Sequence, residues 1–88
     1  MTIYKLTIET TIEYEYEEIK IIFYLTKEDM KKDIEKIKTK HMKKDGSWIP
    51  NISSMRFYEE EVSFEDVKDE MTIAQYEKLF NTTIGEPL

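Results

Sequence analysis

Residues 2–16 read Thr-Ile-Tyr-Lys-Leu-Thr-Ile-Glu-Thr-Thr-Ile-Glu-Tyr-Glu-Tyr. Tyr4, Leu6, Ile8, Ile12, Tyr14 and Tyr16 share one parity, and Lys5, Thr7, Glu9, Thr11, Glu13 and Glu15 share the other. A period of two carried by β-branched and aromatic residues is the pattern of a half-buried strand, apolar face inward. Thr10 interrupts that face by one small residue. An apolar strand face of this length must be covered, so the rest of the chain is read for what covers it.

Ile19-Lys-Ile-Ile-Phe-Tyr-Leu25 gives a second strand, with Ile19, Ile21, Phe23 and Leu25 on one parity and some apolar surface from Ile22 and Tyr24 on the other. The connection at Glu15–Glu18 has no Gly, Asn or Pro. A two-residue primed turn, which needs positive φ, is therefore not expected there, and a longer loop or bulged hairpin is. Thr26-Lys-Glu-Asp29 reads as a helix start, with Thr26 at the N-cap and acids against the macrodipole. Met30, Ile34, Ile37 and His41 recur at i, i+4, i+7 and i+11, one narrow stripe of a helix. Lys40, Lys43 and Lys44 suit its C-terminal end, and Gly46 is expected to supply the left-handed residue that stops it.

Asp45–Ser54, with Gly46, Trp48, Pro50 and Asn51, reads as the one real loop. In the third strand that follows, Met55 and Phe57 lie on one face, and Tyr58, Val62 and Phe64 on the other. A bulge within Glu59–Glu61 would reconcile the two halves. Ser63-Phe-Glu-Asp66 has the form of a short helical turn, and Thr72-Ile-Ala-Gln75 matches a capping box. Ile73, Tyr76, Leu79 and Phe80 then follow at helical spacing, and Thr82–Leu88 is expected to fray.

These signals predict an α+β fold (ββαβα). A three-stranded antiparallel sheet spans 2–15, 18–25 and 54–63, one long helix over 27–44 packs on a face, and a short C-terminal helix over 73–81 closes an end. The expected core is Leu6, Ile8, Ile12, Ile21, Phe23, Met30, Ile34, Ile37, Phe57 and Phe80. Both sheet edges are open, with the first strand outrunning its neighbour, so a monomer or a weak edge-to-edge homodimer is expected.

The chain has 88 residues, the size of a single small domain. Surface scaling gives roughly 5,500 Å² exposed when folded against about 15,000 Å² unfolded, enough for one core. Zero cysteines exclude disulfides and thiolate metal sites. No apolar run approaches the ~20 residues of a membrane span, and Met1–Tyr4 lacks the start of a signal peptide. A soluble domain in the cytoplasm of a bacterial host is the expectation.

The net charge of −6 hides a division, with −3 over residues 1–25, +3 over 26–51 and −6 over 52–88. This balance argues against general nucleic-acid binding and suits approach to a basic partner. Chemistry finds little footing. His41 falls on the apolar helix stripe and has no second histidine to complete a zinc site. Ser47, Ser53, Ser54 and Ser63 have only His41 as a possible base, poorly placed on a helix mid-face to reach a loop serine. Gly46 and Gly85 stand too far apart to build a phosphate cradle. No enzymatic activity, cofactor or metal is expected. Lys32, Lys36, Lys40 and Lys43 cluster on the helix flank with Trp48 beyond, which leaves a small nucleic-acid or regulatory module as the alternative. A structural, self-associating subunit is a further one.

The acids make the sharper case. Glu9, Glu13 and Glu15 are expected on the outward face of the first strand, about 7 Å or 13 Å apart. A second cluster takes in Glu59, Glu60, Glu61, Glu65, Asp66, Asp69 and Glu70, with Tyr58 beside it. Carboxylates on a rigid sheet fit grooves that normally take phosphates, and interleaved Tyr14, Tyr16 and Tyr58 add contact area at low entropic cost. The expected partner is a larger protein with a basic surface, which this domain inhibits or regulates, in the manner of a nucleic-acid mimic. In size, acidity and Lys/Ile-rich composition the chain is similar to small phage and mobile-element proteins, including anti-CRISPR inhibitors. That similarity is one of type and carries no particular residues.

Overall fold

A computed structural model describes residues 1–84, with side chains to Phe80. Its centre is the first strand, β1 (Thr2–Ile12), which pairs antiparallel on one side with β2 (Tyr16–Tyr24) and on the other with β3 (Ile52–Ser63). The sheet order is β2-β1-β3, so β1 is flanked on both sides, and the open edges belong to β2 and β3. The expectation that β1 outruns a neighbour at an edge is corrected accordingly.

The long helix α1 (Lys27–His41) starts where the sequence places it: the Thr26 hydroxyl accepts from the Asp29 N–H at 3.1 Å. It ends three residues before the expected 44. Met42 turns extended and forms a bridge with Trp48, and Gly46, at φ +90°, serves the turn between those two rather than the helix end. The carboxylate of Asp45 holds that turn from within, accepting from the Ser47 N–H at 3.0 Å and its hydroxyl at 2.6 Å. After β3 come a short helix α2 (Phe64–Val67), a 3₁₀ turn (Lys68–Glu70) and α3 (Ile73–Ile84). The architecture is thus a three-stranded antiparallel sheet with one long helix and two further short ones. The capping box is present in full: Thr72 N–H to Gln75 Oε1 at 2.8 Å, and Gln75 N–H to Thr72 Oγ1 at 3.0 Å. Of the tail expected to fray, 82–84 are helical and 85–88 lie outside the described residues.

The sheet is covered on both faces, and this is where the sequence reading needs most correction. On one face, Met30 and Ile34 of α1 bury Leu6, Ile8, Ile22 and Tyr24, with Ile37, Met55 and Phe57 alongside. On the other, α2 and α3 bring Val67 and Leu79 onto Ile3 and Phe23, with Ile21, Val62, Phe64 and Phe80 around them. One expected core is therefore two clusters, separated by the sheet, and Ile12, half-buried at the end of β1, belongs to neither. The C-terminal helix does not close an end; it lies on the face opposite α1. The broken parity of the third strand has the same cause. Its register with β1 runs unbroken from Ser63 to Ser54, so there is no bulge at Glu59–Glu61. Phe57 faces α1, whereas Val62 faces α2 and α3. Each half of the strand is apolar on the side that is covered. The irregularity lies instead at Ser53, between the pairs Thr11–Ser54 and Ile12–Ile52.

Candidate functional site

The β1–β2 hairpin ends in residues 13–18, Glu-Tyr-Glu-Tyr-Glu-Glu, all of them exposed. Four carboxylates and two phenols stand here without a basic residue among them. The expected strand over 2–15 stops at Ile12, and Glu13–Glu15 form the turn. Tyr14 and Tyr16, expected on the inward face, are 89 % and 63 % exposed, and Ile19 is 62 % exposed.

The turn is a built structure. Glu13 and Tyr14 both hold positive φ, at 52° and 61°, and the Glu15 N–H closes onto the Ile12 carbonyl at 3.0 Å. Neither residue type favours that region, so each costs roughly 1–2 kcal/mol there. Two hydrogen bonds from the segment before β3 hold them in place. The Glu13 N–H donates to the Asn51 carbonyl at 2.9 Å, and the Tyr14 N–H donates to the Ser53 hydroxyl at 3.0 Å. Ser53 is the extra residue at the register shift, free to turn its hydroxyl towards the hairpin. Asn51, at φ 82°, follows Pro50 in a turn closed by the Ile52 N–H on the Ile49 carbonyl at 3.2 Å. Pro then a residue at positive φ is the signature of a type II turn, to which asparagine is suited. Between tip and buttress lies a shallow depression lined by Glu13, Tyr14, Lys43, Trp48, Pro50 and Ser53.

The expected acidic residues do not form one surface. Glu13 and Glu15 are at the tip. Glu9 lies on the sheet, where the Tyr58 hydroxyl donates to its carboxylate at 3.3 Å and Arg56 Nη1 stands 4.0 Å away. Its expected spacing from Glu13 and Glu15 along one strand face is lost with the strand end. Glu59 and Glu61 face the α1 side of β3, and Glu59 pairs with Lys31 at 2.7 Å. Glu60 points to the opposite face, beside Lys5 in register. Glu65 accepts from the N-terminal ammonium at 2.8 Å and from Ser63 at 3.0 Å. Those bonds, the ammonium's foremost, hold its carboxyl down at about 2. Asp66 is exposed on α2.

Of the lysine row, Lys32, Lys36 and Lys40 lie on α1 at four-residue spacing, whereas Lys43 lies beyond the helix and Trp48 is half-buried against the turn. The ring of His41 is packed, with Nδ1 donating to the Ile37 carbonyl at 2.7 Å. Among the described residues no group of three or more His, Asp or Glu side chains is placed to hold a metal ion, and no helix is long and apolar enough to cross a membrane.

Sequence reasoning missed Asn51 and Ser53, which shape the tip. The Pro50-Asn51 pair was a legible turn signal; the reach of Ser53 was not. The density of acid and tyrosine over 13–18, without one aliphatic residue, was the available sign that alternation had given way to a hairpin end. No family model matches the chain, and the searches of curated proteins and of solved structures found no match either.

Proposed function

We propose that this protein acts by binding a larger protein, as an inhibitor or regulator, and that the β1–β2 hairpin tip is its leading contact with a basic surface there. The observation that carries the reading is Tyr14, 89 % exposed on a positive-φ turn that Asn51 and Ser53 hold fixed. An exposed aromatic side chain on a pinned backbone loses little freedom on binding, and tyrosine is enriched among residues that dominate interface energies. Strained backbone of this kind is concentrated at ligand clamps and other functional sites. Four flanking carboxylates would accelerate encounter with a basic partner, and burial of Tyr14 and Tyr16 would slow its release.

Capture from a nuclease-treated bacterial lysate tests the reading. A protein retained by the native chain should be lost when Tyr14→Ala and Tyr16→Ala are combined, and its retention should fall with salt. Undiminished capture by that variant would remove the tip from the interface. Tight duplex DNA binding by the native chain at physiological salt would replace the reading with a nucleic-acid one.

A further inference from the structure

Two hydrogen bonds fix which backbone groups of β3 face outward. The Phe64 N–H donates to the Met1 carbonyl at 2.7 Å, so these two form a hydrogen-bonded pair. With unbroken register, Val62, Glu60, Tyr58, Arg56 and Ser54 are then the positions bonded to β1. Met55, Phe57, Glu59 and Glu61 aim their N–H and C=O groups away from the sheet. On the other edge the same phase leaves the Ile21 carbonyl of β2 outward, and Gln75 Nε2 caps it at 3.0 Å. Among the described residues no strand pairs with the outer edge of β3, twelve residues long.

We propose that a second copy of this chain pairs with that edge, antiparallel, about a two-fold axis through Tyr58, joining two sheets into one of six strands. The charge pattern selects the register. Only even-numbered sums of paired positions bring outward groups to outward groups. An axis at Glu60 sets Glu60 against itself and Glu59 against Glu61; one at Glu59 sets that residue against itself; one at Arg56 opposes two arginines. An axis at Phe57 pairs no opposite charges. An axis at Tyr58 sets Arg56 against Glu60 of the second copy, twice. Lys5 lies beside Glu60, and Glu9 beside Arg56, on the same face. The joined sheet therefore carries the row Lys5, Glu60, Arg56, Glu9 across four strands, the last two from the second copy, with signs alternating throughout. The symmetry-related row runs the other way, and the two Tyr58 side chains, each 44 % exposed in the single chain, meet between them. Opposite charges and aromatic pairs directly across strands are the stabilising contacts of antiparallel sheets. The outer face of Arg56 is available for this, since its side chain is 63 % exposed and its contact to Glu9 is long. The interface is small, so association falls in the weak class.

The absence of cysteine in the chain makes the register directly testable. Tyr58 opposite itself is a non-hydrogen-bonded pair, whose Cα separation of about 4.5 Å lies within disulfide reach. Mild oxidation should link Tyr58→Cys into a covalent dimer and leave Glu60→Cys monomeric. Sedimentation over a concentration series should show a monomer–dimer equilibrium for the native chain. Arg56→Glu or Glu60→Arg alone should each weaken it about tenfold or more, and the two together should restore it. Equal linking of Tyr58→Cys and Glu60→Cys, failure of the paired reversal to restore association, or a monomer at several hundred micromolar would each overturn the proposal. Tyr14→Ala should leave the dimer unchanged, which separates this surface from the hairpin tip.

Discussion

The phenol of Tyr24, the last residue of β2, donates a hydrogen bond to the carboxylate of Asp33 in the middle of α1. It is a polar tie between sheet and long helix, as is the Lys31–Glu59 ion pair, set beside the apolar contacts of Met30 and Ile34. Burial, and then Asp33 itself, push the phenol above its ordinary 10.0. Tyr24→Phe keeps the ring and removes the bond to a charged acceptor, an expected loss of about 1.5–3 kcal/mol. The pH dependence has a definite sign. The folded phenol holds its proton more tightly than the unfolded one, so the contribution is complete below pH 10 and fades as pH rises beyond it. The difference in Tm between native chain and variant should shrink above pH 10. Tyrosinate absorbance should show Tyr24 still protonated above pH 10, a late-ionising phenol that Tyr24→Phe removes.

Ile34 and Leu79 sit in different clusters on opposite faces of the sheet, both nearly inaccessible. Replacing either by alanine removes the same number of buried carbons and should cost roughly 2–5 kcal/mol. Urea denaturation is expected to place the two variants within that range of the native chain. A near-neutral Leu79→Ala would detach α3 from the sheet and return the fold to a single covered face.

How much of this was legible in the sequence divides by range. The caps at Thr26 and Thr72 were readable because a cap is settled within four residues, and both are formed as read. The burial of Leu6, Ile8, Met30 and Ile34 was readable because one face of one element sufficed to show it. Ile22 and Tyr24 show in the sequence as apolar surface on the second face of β2, but they are core only because that face is covered too: the consecutive Ile21-Ile22-Phe23-Tyr24 run is what a strand covered on both sides requires. The hairpin tip was visible as composition and misplaced as structure. Positive φ at Glu13 and Tyr14 is imposed by Asn51 and Ser53, nearly forty residues away, and no local signal announces it.

Glu65 gives a prediction in acid. Its carboxyl is held at about 2 against an ordinary 4.5, first by the N-terminal ammonium. A depressed value means that the folded state favours the charged form. The contribution is therefore present above pH 4.5 and lost as pH falls towards 2. Glu65→Gln should flatten the fall of Tm across that window. The site is exposed, so the effect is small and should diminish in high salt. Equal acid sensitivity of the two chains at low ionic strength would show that the contact does not persist in solution.

The strained turn offers a test that separates stability from binding. Glu13 and Tyr14 occupy a backbone region that asparagine and glycine enter readily, and Asn-Gly is the favoured pair where both central residues need positive φ. Combining Glu13→Asn with Tyr14→Gly should relieve the strain and stabilise the fold by about 1 kcal/mol, after the added unfolded-state freedom of glycine is subtracted. In a domain of this size that raises Tm by about 4–8 °C. The same variant removes the most exposed aromatic ring of the tip and one of its four carboxylates. If the tip is the contact surface, the more stable protein should be the weaker binder, losing the lysate partner that the native chain retains. A variant that gains Tm and still captures that partner would show that the tyrosine and its strained support serve no contact. A variant that loses Tm would show that the two hydrogen bonds from Asn51 and Ser53 depend on the native residues.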